Sequence, residues 1–189
     1  GGGPSGLATA IKFAQLNNEN GTNYSICLLE KGSEIGAHIL SGNVFQPNAL
    51  DELLPNWKEL GAPLNTPVKK DKLLFLLEKI GIPVPSFLMP PMNNHGNYVI
   101  SLGNLCRWLG EQAESLGVEV FPGFPASQLI IENDMVVGVQ TGDMGISESG
   151  ELKPGHEPGI NIRAKYTILG EGCRGHLGKQ VIHKFNLSE

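Results

Sequence analysis

Three glycines at the spacing G-x-G-x-x-G, Gly1, Gly3 and Gly6, run straight into a helical spacing of apolar residues at Leu7, Ala8, Ile11, Ala14 and Leu16. Each glycine has a physical task in a turn that cradles a pyrophosphate. The first makes the turn tight, the second lets backbone approach the phosphates, and the third lets the helix pack close to its strand. The helix that follows offers unpaired N–H groups and a partial positive charge to an anion. Tyr24 to Glu30 (YSICLLE) reads as a short buried parallel strand ending on a carboxylate, 24 residues after Gly6. An acidic group at such a place receives the hydrogens of ribose hydroxyls. Because a loop of this kind joins a strand to a helix, a strand is expected before Gly1, and the chain reads as starting inside the loop.

The remainder distinguishes the kind of dinucleotide. A nicotinamide domain continues in regular β–α repeats, whereas Glu30 leads here into EKGSEIGAHILSG, a glycine-rich segment without a period. A backbone wrapped around a flavin ring suits that segment. Asn48 to Leu60 is expected to be a short helix capped by Asn48 and kinked or broken at Pro55. Leu73–Leu77 and Ile82–Val84 suggest a strand pair around Gly81, with Pro83 and Pro85 confining the second piece to an edge. Leu102 to Leu116 predicts an amphipathic helix stopped by Gly117, with Val118–Phe121 following as a strand. Gln128–Glu132 and Met135–Thr141 flank Asn133-Asp134, a hairpin signal. Tyr166–Leu169 predicts a last strand before the turn GEGCRG, and Leu177 to Phe185 a helix. This second strand–glycine turn–helix device, with Glu171 in its turn, suits the ribityl and pyrophosphate of the same cofactor.

Composition excludes some classes. A net charge of −5 gives no nucleic-acid surface, and 40% hydrophobic with 17% charged residues describes a folded chain. No apolar run is long enough to span a bilayer. The isolated Cys27, Cys106 and Cys173 suggest a reducing compartment, buried thiols and no metal motif.

The segments GPSGLATA, LLEKGSEIGAHILSGNVFQPNALDELLPNW, GAPLNTPV, PMNNHGNY, WLGEQAESLGVEV and ILGEGCRGHLGKQ resemble the electron-transfer-flavoprotein:ubiquinone oxidoreductase family along the whole chain. The resemblance implies a membrane-surface enzyme with FAD and a [4Fe–4S] cluster. It implies that electrons pass from electron-transfer flavoprotein to ubiquinone, at an inner membrane on the mitochondrial matrix face or the bacterial cytoplasmic face. It places Gly1, Gly3, Pro4, Ser5, Gly6 and Leu7 on the FAD phosphates and Glu30 on the ribose. Lys31 and the stretch containing Gly36, Ser41 and Gly42 lie near the cofactor, and Glu171 and Gly172 form the later FAD turn. Gly2 and Ser5 stand where the family usually has other small residues. The cluster ligands are expected beyond Glu189, so no metal ligand and no catalytic acid or base is assigned here.

The expected fold is α/β, an FAD/NAD(P)-binding Rossmann-like fold of glutathione-reductase type with part of an inserted α+β quinone-side domain. Residues 1–60 and 100–189 form the FAD-binding domain, and 61–99 part of the insertion. Arg107 is a candidate for the cofactor phosphate, with an exposed helix face as its other reading. Two segments are candidates for peripheral membrane contact, the helix carrying Phe45, Leu50, Leu53, Leu54 and Trp57 and the apolar loop Phe87–Met92. Two alternatives stay open: a flavin-dependent reductase or hydroxylase of the geranylgeranyl-reductase type, and a non-catalytic dinucleotide-binding module.

Overall fold

The computed structural model describes residues 1–40, 42–85, 92–147, 149 and 151–187. The elements run α1 (Pro4–Glu19), β1 (Cys27–Glu30), β2 (Asn43–Phe45), α2 (Asn48–Leu53), β3 (Leu73–Leu76), β4 (Gly81–Val84), β5 (Tyr98–Ile100), α3 (Leu102–Ser115), β6 (Glu119–Pro122), β7 (Ala126–Glu132), β8 (Met135–Thr141), β9 (Met144–Ile146), β10 (Leu152–Glu157), β11 (Asn161–Arg163) and α4 (His176–Lys184).

Helix α1 buries Leu7, Ala10, Ile11 and Ala14, the repeat expected of one apolar stripe. That stripe packs against α3, which buries Leu105, Cys106, Leu109 and Ala113. Ser101 caps α3 by accepting the Asn104 N–H at 3.4 Å. At the other end Gly117 takes φ +89 and donates to the Glu114 carbonyl at 2.9 Å, and Val118 donates to Ala113 at 3.0 Å. This pair of reversed bonds satisfies the last carbonyls and turns the chain directly into β6. Strand β6 pairs in parallel with β1, Cys27 opposite Glu119 and Glu30 opposite Pro122. Both α1 and α3 therefore lead to one small parallel sheet, and Glu30 stands at its carboxyl end.

Three antiparallel units surround this centre. Strand β2 pairs with β5, and β9 with β10. Strand β8 lies between β7 and β11. Asn133 (φ 49) and Asp134 (φ 55) turn β7 into β8, the left-handed pair that a two-residue hairpin requires. Strands β3 and β4 form a separate ribbon, Leu73 opposite Val84 and Leu76 opposite Gly81.

Four expectations are corrected. Helix α2 stops at Leu53, ahead of Pro55, and Pro47 rather than Asn48 occupies its N-cap. Its apolar face does not await a membrane: Leu50, Leu54 and Trp57 belong to the main core, with Phe45 and Leu53 packed against it. Trp57 meets Tyr98 edge-on at 5.9 Å and donates to Asp51 Oδ1 at 2.7 Å. Tyr166–Leu169 is not a strand, because strand structure requires a hydrogen-bonded neighbour and none pairs with it among the described residues. Cys27 and Cys173 are exposed, so Cys106 alone of the three is buried.

Burial and the nearby Glu30 carboxylate push the Cys106 thiol up to about 11. An acid whose folded pKa is raised contributes stability that is present below its unfolded pKa and lost as pH rises through the folded value. The loss between pH ~9 and ~11 is expected to reach about 2–3 kcal/mol. A Cys106→Ala variant, melted across that interval, is expected to lose stability less steeply than the parent. Parallel profiles would contradict the assignment.

Candidate functional site

Residues 1–6 turn into α1 with Gly3 at the N-cap in extended backbone (φ −83, ψ 176) and Pro4 opening the helix. Proline fits because its missing N–H is one the first turn would leave unpaired. The first intrahelical donor is Leu7, to the Gly3 carbonyl at 3.0 Å. The Ser5 and Gly6 N–H groups therefore have no helical acceptor. No side-chain cap and no acidic residue sits in this first turn, among the described residues. The helix end is left positive and open.

The glycines divide their tasks unequally. A Cβ on Gly6 would overlap the Gly1 carbonyl, so the loop and helix touch through bare backbone. Gly170 closes the same seam from the far end of the chain: its own Cβ would lie 3.1 Å from the Gly6 α-carbon, and a Cβ on Gly1 would lie 2.7 Å from the Gly170 carbonyl oxygen. At Gly3, by contrast, a Cβ would meet nothing within 4 Å. Gly3 is thus not required by protein packing, and the free space above it is a seat that another backbone-approaching group can fill.

Glu30 braces the loop from the end of β1. Its Oε2 accepts the Gly2 N–H and its Oε1 accepts the Gly32 N–H, each at 2.7 Å. A carboxylate has about four lone-pair sites, so acceptor capacity remains for two hydroxyl groups. Gly2 rests on the buried core residue Ile35, whose Cδ1 a Cβ there would overlap. Neither the brace through Gly2 nor the support from Ile35 and Gly170 is singled out by the sequence pattern, since each is a long-range contact.

The other expected positions are distributed as follows. Gly36 (φ +85) presses on α3, where a Cβ would come 2.5 Å from the Gly103 carbonyl, so residues 31–40 lie across the first turn of α3. Lys31 is exposed. Gly42 has φ +84 and donates to Ile100 at 3.2 Å. Ser41 lies outside the described residues. Arg107 is half-exposed on α3, its Nη2 3.2 Å from Glu34 and its Nη1 donating to Asn104 Oδ1 at 2.7 Å. Exposed pairs of this kind contribute about 0–1 kcal/mol, so Glu34 holds the guanidinium only weakly. Glu171 turns toward α4, where its carboxylate accepts Leu177 N–H at 3.2 Å and Gly178 N–H at 2.7 Å. It occupies the anion seat of α4 itself, and a Cβ on Gly172 (φ +72) would meet nothing within 4 Å. The helix termini near the seam therefore differ: a carboxylate caps α4, whereas no side chain caps α1, which Glu30 borders.

Among the described residues no group of three His, Cys, Asp or Glu could hold a metal ion. None of their helices is long and apolar enough to cross a membrane.

No family model matches the chain. Among curated proteins it is 56% identical, over 99% of its length, to an electron transfer flavoprotein-ubiquinone oxidoreductase of Pseudomonas aeruginosa. It is 51% identical, again over 99% of its length, to the mitochondrial protein of that description from Mus musculus. The chain spans 35% and 30% of those two proteins, about a third of each. In fold it is similar to a geranylgeranyl bacteriochlorophyll reductase-like protein of Thermoplasma acidophilum (TM-score 0.60, 24% identity, 87% of this chain and 36% of that one). It is also similar to the myxobacterial halogenase CndH, described as FAD-dependent (TM-score 0.60, 19% identity, 95% of this chain and 37% of that one). The fold is accordingly α/β, of the Rossmann-like kind shared by such enzymes.

Proposed function

We infer that this chain is the FAD-binding part of a member of the electron transfer flavoprotein-ubiquinone oxidoreductase family, and that the full-length protein passes electrons from reduced electron transfer flavoprotein to ubiquinone. The observation that carries this reading is the N-terminus of α1, which no side chain caps, with room for a Cβ-sized group over Gly3 and the Glu30 carboxylate beside it. Those features match a diphosphate flanked by a ribose. The alignment of 99% of this chain with about a third of proteins of that description supports this choice of reaction.

In this reading Gly1, Gly3, Ser5, Gly6 and Leu7 surround the FAD phosphates, and the Ser5 and Gly6 N–H groups donate to their oxygens. Pro4 pre-sets the first turn without contributing a donor. Glu30 accepts the ribose hydroxyls while keeping its two backbone partners. Lys31, Gly36 and Gly42 lie near the cofactor, and Ser41 is kept as a sequence candidate beside them. Arg107, tied to Glu34 by a single exposed contact, turns to a phosphate of the cofactor, where the guanidinium can make a paired hydrogen bond. Gly172 borders the seam as the later turn, and Glu171 holds that turn through α4. Bound FAD supplies the redox chemistry, and the chain positions it and excludes water. No catalytic acid or base is assigned. The described residues do not fit a [4Fe–4S] cluster, since the cysteines stand apart, and we assign its ligands to other parts of the full-length protein. We retain 1–60 with 100–189 as the cofactor-binding domain and 61–99 as part of a quinone-side insertion.

We also place the protein peripherally on an inner membrane, through β3 and β4. Leu74, Phe75, Leu76, Leu77, Ile80 and Ile82 are all between 47% and 73% exposed. A lone two-stranded ribbon apolar on both faces is marginal in water, so a nonpolar cover is required. The Phe87 loop proposed from the sequence lies outside the described residues, although Met92 at its end is exposed.

The test is the full-length protein with its flavin released and identified. FAD that is bleached by reduced electron transfer flavoprotein and restored by a ubiquinone analogue is expected. In Glu30→Gln the amide opposes a backbone N–H, an uncompensated donor costing about 1–3 kcal/mol. FAD affinity is expected to fall roughly 10- to 100-fold. Bleaching by a nicotinamide donor alone would transfer the assignment to another flavin enzyme.

A further inference from the structure

We propose that the β3–β4 ribbon recognises a bilayer bearing anionic headgroups and lies flat on it, with its lysines at the two ends of the apolar stretch. The proposal rests on the membrane reading above and specifies the lipid. The ribbon leaves the body of the protein at a pinned stem: Val68 N–H donates to Asn97 and Val99 N–H to Thr66, both at 2.8 Å. Immediately beyond that stem come Lys69, Lys70 and Lys72, all exposed. The Asp71 carboxylate between them accepts the Asn94 N–H at 2.6 Å and its Nδ2 at 3.2 Å, joining the outgoing and returning limbs at this level. At the opposite end Leu77 N–H donates to Ile80 at 2.8 Å, closing a turn that exposes Glu78 and Lys79.

Between these ends the pairing puts Leu73, Phe75, Ile82 and Val84 on one face. The surface is thus an apolar strip bounded by cations, four lysines against Asp71 and Glu78, in a chain whose net charge is −5. Its charge runs opposite to that of the whole chain and matches an anionic surface. Lysine stems can lie along apolar surface while the ammonium stays among headgroups. Insertion turn-first would carry Glu78 and Lys79 into hydrocarbon, which is unfavourable. A flat orientation keeps both charged ends wet and buries the strip between them, as in other interfacial elements. Each lysine near an anionic leaflet favours binding about fivefold.

The experiment measures partition of the full-length protein onto vesicles of neutral phosphatidylcholine and onto vesicles that also contain anionic phosphatidylglycerol, at low and high salt. Binding to the mixed vesicles is expected to be tighter by roughly 100-fold at low salt, and this preference is expected to shrink at high salt. The triple variant Lys69→Gln/Lys70→Gln/Lys72→Gln is expected to lose roughly 100-fold on mixed vesicles and nothing on neutral ones. Lys79→Gln is expected to lose about fivefold on mixed vesicles. Equal binding to both compositions would overturn the anionic selection while leaving the membrane reading intact. Absence of binding to either would overturn both and make a protein surface the cover of the ribbon. Stronger binding by Lys79→Gln would overturn the flat orientation.

Discussion

Gly6→Val is expected to leave the full-length protein without stoichiometric flavin. The new side chain would overlap the Gly1 carbonyl and crowd Gly170, so α1 must withdraw from the loop or the loop must open. Either response moves the Ser5 and Gly6 N–H groups relative to the phosphates. A hydrogen bond to a charged acceptor contributes about 1.5–3 kcal/mol. Losing two weakens FAD by roughly 10²- to 10⁴-fold. Flavin content after purification, followed by titration of the apoprotein with FAD, measures the effect. Gly6→Val also destabilises the fold by about 1–3 kcal/mol through overpacking, so Gly3→Ala separates the two causes. A methyl group at Gly3 meets no protein atom within 4 Å. The apoprotein is therefore expected to melt as the parent does while FAD affinity still falls, because the methyl takes the space of the ligand. A Gly3→Ala protein with undiminished FAD affinity would refute the placement of the phosphates.

Phe75→Asp combined with Ile82→Asp is expected to abolish vesicle partition of the full-length protein. These residues face each other across the ribbon and are 61% and 47% exposed. Burying such a side chain contributes about 1.5–3 kcal/mol, so the pair accounts for roughly 10²- to 10⁴-fold in partition before the cost of the new charges. Because neither side chain belongs to the central core around α1 and α3, FAD content and melting temperature are expected to be unchanged. Sedimentation with neutral vesicles measures the loss. Undiminished partition would show that the ribbon is not the element that meets lipid.

The two expectations differ in how visible they were before the structure. Helix α3, its stop at Gly117 and the Asn133-Asp134 hairpin were legible because their causes are local, a periodicity or a left-handed backbone position within a few residues. The glycine spacing and Glu30 could be read as parts of one site for a similar reason: their tasks follow from residue type and a strand of known direction. What was not legible is non-local. Tyr166–Leu169 has a strand's composition, yet composition supplies no partner. The stripe of Leu50, Leu54 and Trp57 announces one buried face without stating against what. It faces the core, and an exposed apolar surface lies instead on the ribbon, where Glu78 and Lys79 separate Leu73–Leu77 from the second strand. The brace from Glu30 to the Gly2 N–H and the seam between Gly6 and Gly170 depend on distances that no spacing encodes.

That seam also orders events in the life of the molecule. Gly1 and Gly6 emerge among the earliest residues of this stretch, and Gly170, which packs against them, among the last. While the ribosome is still adding the intervening strands, the loop has one wall and no lid. A nucleotide met at that stage would find a helix end wet on one side, where water competes for every N–H. Under the proposed reading, the loop gains its second wall only once Gly170 has been made, so tight loading follows synthesis of that residue.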